Sequence, residues 1–114
     1  MNSSNNLPNT LVHVGGRKHV QPEEVIILIA DSNYTTIFLA SGKNFMVATN
    51  IGKIQKILQA HGQFIRTNKA QVVNWAYVIS STYNQLLLHD NKIVIFSRRR
   101  RIKVRPQLIS NIHK

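Results

Sequence analysis

Residues 35–62 read TTIFLASGKNFMVATNIGKIQKILQAHG, and a change of period inside this stretch decides the fold class. In the first half apolar residues alternate. Ile37 and Leu39 share one face of an arm, and Phe45 and Val47 share one face of the arm that returns. A period of two marks a strand, and Ser41-Gly42 between the arms supplies the turn. After Asn50 the period lengthens. Ile51, Ile54, Ile57 and Leu58 follow helical spacing, with Lys53, Gln55 and Lys56 on the other side. Thr49 or Asn50 is placed to cap the start, and Gly62 to stop the helix. The stretch therefore predicts a hairpin followed by one amphipathic helix of about three turns, whose apolar face packs on a core.

Outward from this centre the chain reads as further short strands. Leu11–Val14 and His19-Val20 flank Gly15-Gly16-Arg17-Lys18, a turn that would close a first hairpin before Pro22. Val25–Ala30 is an apolar run bounded by Pro22 and by Asp31-Ser32-Asn33, too short for an independent helix, and it predicts a buried strand. Downstream, Phe64–Thr67 is extended, and Gln71–Trp75 and Tyr77–Ser80 are further apolar pieces. Gln85–Leu88 and Ile93–Phe96 predict a second clear hairpin, because Asp90-Asn91 between them tolerates positive φ. Pro106 opens a short C-terminal helix with Leu108, Ile109 and Ile112 facing in. Three or four hairpins around one main helix make a mainly β fold. The expected architecture is an elongated antiparallel β-sandwich of short sheets with small helical turns. No βαβ alternation is visible, which argues against a doubly wound nucleotide-binding fold. Residues 1–10, rich in Asn and Ser, are expected to be a disordered lead-in, and residues 11–114 a single domain.

Charge narrows the function. Fifteen Lys and Arg face four acids, Glu23, Glu24, Asp31 and Asp90, giving a formal net charge of +11 over 114 residues. So large an imbalance costs self-repulsion that a polyanionic partner relieves. There is no cysteine, so disulfides, thiolate metal sites and thiol nucleophiles are excluded, and a reducing, cytoplasmic location is expected. The longest apolar run, Val25–Ala30, falls far short of the roughly 20 residues of a membrane span. The first residues lack the basic and apolar regions of a signal peptide. His13, His19, His61, His89 and His113 are scattered without metal-ligand spacing, and Glu23 and Glu24 are neighbours that face apart on a strand. Neither a P-loop, a nucleophile elbow nor a Gly-rich dinucleotide fingerprint occurs. The expectation is a protein that is not an enzyme, with no cofactor, metal, membrane or small-molecule substrate.

Three segments carry the donors that a nucleic acid requires. Ser97-Arg98-Arg99-Arg100-Arg101-Ile102-Lys103-Val104-Arg105 follows a predicted strand directly, and no acid occurs after Asp90. A guanidinium fork pairs with phosphate oxygens and with guanine O6 and N7. Arg66 and Lys69 form a second basic site, accompanied by Asn68 and Gln71, whose amides can read adenine through paired donor and acceptor groups. Asn33-Tyr34-Thr35 is a donor-rich turn and makes the third.

Taken in order, these features resemble the LytTR DNA-binding domain of bacterial response regulators. The resemblance runs from about Val20 to Leu108. It rests on an apolar strand ending near Asn33-Tyr34, a hairpin turning at Gly42, the helix from Ile51, the segment FIRTNKAQVVN at 64–74, and a hairpin closing in Ser97-Arg98-Arg99. Asn68 stands where the family often has His, and Ala70 where it often has Ser. The resemblance implies a transcription regulator whose loops enter successive major grooves of duplex DNA at promoter direct repeats, two copies lying side by side. The DNA-facing residues it implies are Tyr34 or Thr35, Lys69 and Arg99, with Arg98 and Arg100 as phosphate partners and Asn74 as a structural tie near Val73. Two other readings fit a basic β module: an RNA-binding or ribosome-associated domain, and a protein-interaction domain without DNA binding.

Overall fold

The computed structural model describes residues 10–82 and 84–96. Among them the chain forms ten strands and one helix: β1 (Val12–Gly15), β2 (Lys18–Val20), β3 (Val25–Asp31), β4 (Tyr34–Leu39), β5 (Asn44–Val47), α1 (Ile51–Gln59), β6 (Phe64–Asn68), β7 (Gln71–Asn74), β8 (Val78–Ser81), β9 (Gln85–Leu88) and β10 (Ile93–Ile95). Short 3₁₀ turns at Pro22–Glu24 and Trp75–Tyr77 lead into β3 and β8. The lead-in and the Pro106 helix fall outside the described residues, apart from Thr10.

A five-stranded antiparallel sheet in the order β5-β4-β3-β7-β6 forms the middle layer. Its central strand is the apolar run seen in the sequence. β3 pairs with β4 along one edge and β7 along the other. Side chains leave it in both directions. Val25 and Leu28 join a core with α1 and with the β1-β2 ribbon, through Val14, Val20, Ile54 and Leu58. Ile27 faces the opposite way, into a second core with Ile65, Val73, Trp75, Leu86, Leu88 and Val94. A register shift between Val25 and Ile27 lets two residues of the same parity face opposite layers. The second core is closed by the three-stranded sheet β10-β9-β8.

The helix starts where the sequence places it. Asn50 is the cap, and its Oδ1 accepts from Lys53 N at 2.9 Å. Ile51, Ile54 and Leu58 are buried. The helix ends at Gln59, ahead of Gly62, and two glutamines fasten it to the edge strand: Gln55 Nε2 donates to Phe64 O at 3.0 Å, and Phe64 N donates to Gln59 Oε1 at 2.9 Å. Both central hairpins form as expected, and Asn91 adopts the positive φ, 68°, that its turn needs. No helix among the described residues is long and apolar enough to cross a membrane.

Asn74 is the tie that the family resemblance implies. It is buried, its Nδ2 donates to Val25 O at 2.8 Å, and its Oδ1 accepts from Ala76 N at 3.0 Å. One side chain thus joins the start of β3 to the turn that redirects the chain from the middle sheet to the outer one. Asn74→Ala leaves the Val25 carbonyl and the Ala76 amide unpaired, and we expect a loss of about 1–3 kcal/mol in unfolding free energy. Urea denaturation measures it; a loss within experimental error would show that Asn74 does not hold the two layers together.

Candidate nucleic-acid interface

Antiparallel pairing brings two turns to the same end of the middle sheet. The β3-β4 hairpin closes with Asp31 opposite Tyr34, and Ser32 takes the left-handed φ, 56°, that so tight a turn requires. The β6-β7 hairpin closes over Asn68–Gln71, and Ala30 N donates to Ala70 O at 2.8 Å, which joins the second turn to the first. The start of α1 arrives at this same end, because Thr35 Oγ1 donates to the Thr49 carbonyl at 2.8 Å. Between the three lies an open depression lined by Ser32, Tyr34, Asn50, Gly52, Arg66 and Lys69, among others.

The expected site residues take different positions around it. Tyr34 is half-exposed at the rim, and Lys69 is exposed at the tip of the second turn. Among the described residues nothing engages the Lys69 ammonium.

Thr35 corrects an expectation. It is fully buried and its hydroxyl is committed to Thr49, so it belongs to the support and not to the surface. Strand parity explains this: Thr35 faces the same way as buried Ile37. Asn68 is tied into its own turn. Its Oδ1 accepts from Ala70 N at 2.8 Å, an Asx turn that holds the loop, so its amide is not open as a paired donor and acceptor. Arg66 also lines the depression. It is half-buried, and its Nε and Nη2 donate to the Asn68 and Lys69 carbonyls at 3.2 and 2.6 Å, inside the turn. Arg98, Arg99 and Arg100 lie outside the described residues.

The family model of the LytTr DNA-binding domain matches residues 15–109. This chain belongs to that family. No curated protein matches the sequence. Among solved structures, the chain has the fold of the LytTr DNA-binding domain of a protein described as a methyl-accepting/DNA response regulator from Bacillus cereus. The TM-score is 0.70 at 17% identity, over 88% of this chain and 97% of that one. The mainly β architecture read from the sequence is therefore that of a LytTr domain.

The charges of this LytTr domain are sorted along its length. Glu23 and Glu24 sit at the opposite end of the middle sheet from the depression, where Ala40 N donates to Glu24 O. Asp90 lies near Lys43 at that same far end. There, burial, and then Glu24 and Glu23, raise the pKa of the Tyr77 phenol, which stays protonated and donates to Glu23 O at 2.6 Å. At the depression end, Asp31 of the β3-β4 turn is the one acid among the described residues, and Arg66 and Lys69 line the depression itself. No cluster of three His, Asp or Glu able to hold a metal occurs among the described residues.

Lys53 was not singled out in the sequence, where it is one polar residue on the outer helix face. Packing of α1 onto the sheet brings its first turn to the depression, and a Cβ on Gly52 would lie 3.7 Å from Arg66 Nη1. The first turn of α1 carries no acid, so the positive end of its dipole faces cations with nothing to offset it. Lys53→Glu places an acid at the third helical position, where it opposes the dipole and can close a capping box with Asn50. We expect Tm to rise by a few degrees while affinity for DNA falls. Calorimetry and a binding titration check the pair of effects; a lower Tm would mean that the helix start is not electrostatically loaded.

Proposed function

We propose that this LytTr domain is a bacterial transcription regulator that binds duplex DNA by sequence, with the 31–34 and 68–71 turns directed into major grooves. The observation that carries this reading is the convergence of both turns and the start of α1 on one basic end, with three of the four acids at the other. Phosphate contacts supply most of the affinity of such a surface, and base-edge contacts supply the choice of site. Tyr34 and Lys69 are the contacts we assign among the described residues. Arg98, Arg99 and Arg100 are assigned from sequence: β10 starts beside Lys92, whose ammonium lies 5.7 Å from the Phe38 ring centroid, and runs on towards Phe96, with the arginines next in the chain. Two copies side by side on repeated half-sites, in the bacterial cytoplasm, complete the proposal.

The RNA alternative asks for exposed aromatic faces on which bases stack. Phe64, Phe96 and Trp75 are buried, Phe38 and Phe45 are partly buried with Lys92 and Lys18 over their rings, and Tyr34 is the one exposed Phe, Tyr or Trp among the described residues. This distribution supports duplex DNA over single-stranded RNA.

Selection from random duplex DNA at about 150 mM salt tests the reading, since bare electrostatic binding is weakened there. We expect a repeated short motif, lost with Lys69→Ala or Arg99→Ala. For about six neutralised phosphates, log affinity falls against log salt with a slope near −5. Recovery of no motif, or preference for structured RNA in direct competition, would overturn the proposal.

A further inference from the structure

We infer that Arg66 is a positioning residue for DNA sequence choice: its guanidinium holds the 68–70 turn from within and sets the direction in which Lys69 leaves it, without itself contacting a base or phosphate. The inference rests on the DNA-binding reading above.

The turn is unusual in what secures it. Carbonyl oxygens at the tip of a tight hairpin ordinarily face water. Here two successive ones, of Asn68 and Lys69, accept from Nε and Nη2 of a single planar cation at 3.2 and 2.6 Å. The guanidinium group suits this task because its donors are fixed in one plane at fixed spacing, so two acceptors held by it are fixed relative to each other. A register shift between Arg66 and Asn68 bends the strand at this point. The other side of the turn is held by polar side chains. Thr67 Oγ1 donates to Gln71 Oε1 at 3.0 Å, and Asn68 Oδ1 accepts from Ala70 N at 2.8 Å.

Residues 66, 67, 68 and 71 thus all bond inside the turn, and residue 69 alone presents a charged side chain outward. The clamp also acts on the electrostatics of the surface. Two carbonyl dipoles are turned in towards Arg66, which removes two acceptors from a face that must approach phosphate. A lysine at this position would keep the charge, but its single ammonium lacks the planar fork that fixes both carbonyls.

The two roles open to Arg66 differ in their thermodynamic signature. A lost phosphate contact weakens specific and non-specific binding together, reduces the salt slope by about 0.9, and is largely restored by Lys. A lost clamp lowers specific affinity alone and leaves the slope within about 0.3 of wild type, and Lys does not restore it. The experiment is a salt titration of the wild-type 114-residue chain, Arg66→Lys and Arg66→Ala against the selected motif and against a scrambled duplex. Amide chemical shifts of the free proteins are recorded alongside.

We expect Arg66→Lys to lose about 10-fold or more in the ratio of specific to non-specific affinity at unchanged slope. Its amide shifts should move at residues 68–70 while the core signals of β3 and α1 stay in place. Arg66→Lys keeps the charge and an aliphatic stem at this half-buried position, so it reports even if Arg66→Ala does not fold. Retention of the wild-type ratio by Arg66→Lys, or a slope change in Arg66→Ala with both affinities falling together, would overturn the clamp and leave the DNA reading intact. A wild-type protein with no preference for any duplex would overturn both.

Discussion

Everything at the basic end depends on strand β3 being buried on both faces and paired along both edges. It is a seven-residue strand in which Val25, Ile27 and Leu28 are shielded from water. Burial on two faces demands a layer on each side, and pairing on two edges demands two neighbours. The neighbours are β4, which follows immediately, and β7, which comes from more than forty residues downstream. Because both run antiparallel to β3, the turn that links β3 to β4 and the turn that enters β7 fall at one end. The hydrophobic demand of one apolar run is thereby converted into the side-by-side placement of two polar loops.

The sorting of charge follows a similar logic at longer range. A chain with this excess of cations destabilises its own compact state, and the penalty is greatest where cations are close together. Arg66 lies beside the positive end of a helix, and Lys53 occupies the first turn of that helix. An acid in that turn would be the stabilising choice for the isolated domain. Its absence is intelligible if the surface meets a polyanion, because the partner then supplies the missing negative charge. The far end, with Glu23, Glu24 and Asp90 near Lys43 and Lys92, carries no such imbalance.

Local patterns made much of this legible beforehand. The alternation in β4 and β5, the switch of period after Asn50 and the turn chemistry at Asp90-Asn91 each involve residues close in sequence. The β3-β7 pairing was not visible, because any apolar strand can pair with any other, and only the assembled core selects the partner. Thr35 was misread even though its parity with Ile37 was available: its position beside a polar turn outweighed the two-residue period that buries it. The bonding of Asn68 and Arg66 is illegible for a different reason. Whether such a side chain reaches out or folds back depends on where nearby backbone groups lie. The Asn68 amide found an Ala70 N–H, and the Arg66 guanidinium found two carbonyls, neither of which a sequence displays.

Internal bonding of the turn bears on how a sheet can read a ligand at all. A helix presents side chains from a backbone that its own hydrogen bonds make rigid. In this domain the apolar face of the helix is spent on the core, since Ile51, Ile54 and Leu58 are buried and Gln55 and Gln59 hold it against β6, and its first turn, with Lys53, borders the two hairpin turns. On the proposed reading the turns carry readout, and a turn that samples many conformations loses entropy on binding and discriminates poorly between sites. The remedy visible here is to bond the turn internally with its own polar residues, among them Arg66, Asn68 and Gln71, which the sequence offers as ligand contacts. Arg66, Thr67, Asn68 and Gln71 give rigidity to the loop, and Lys69 gives it charge. On that reading the polar richness of the segment is a poor count of its contacts, because most of those side chains are bonded within the turn and Lys69 is the one that leaves it.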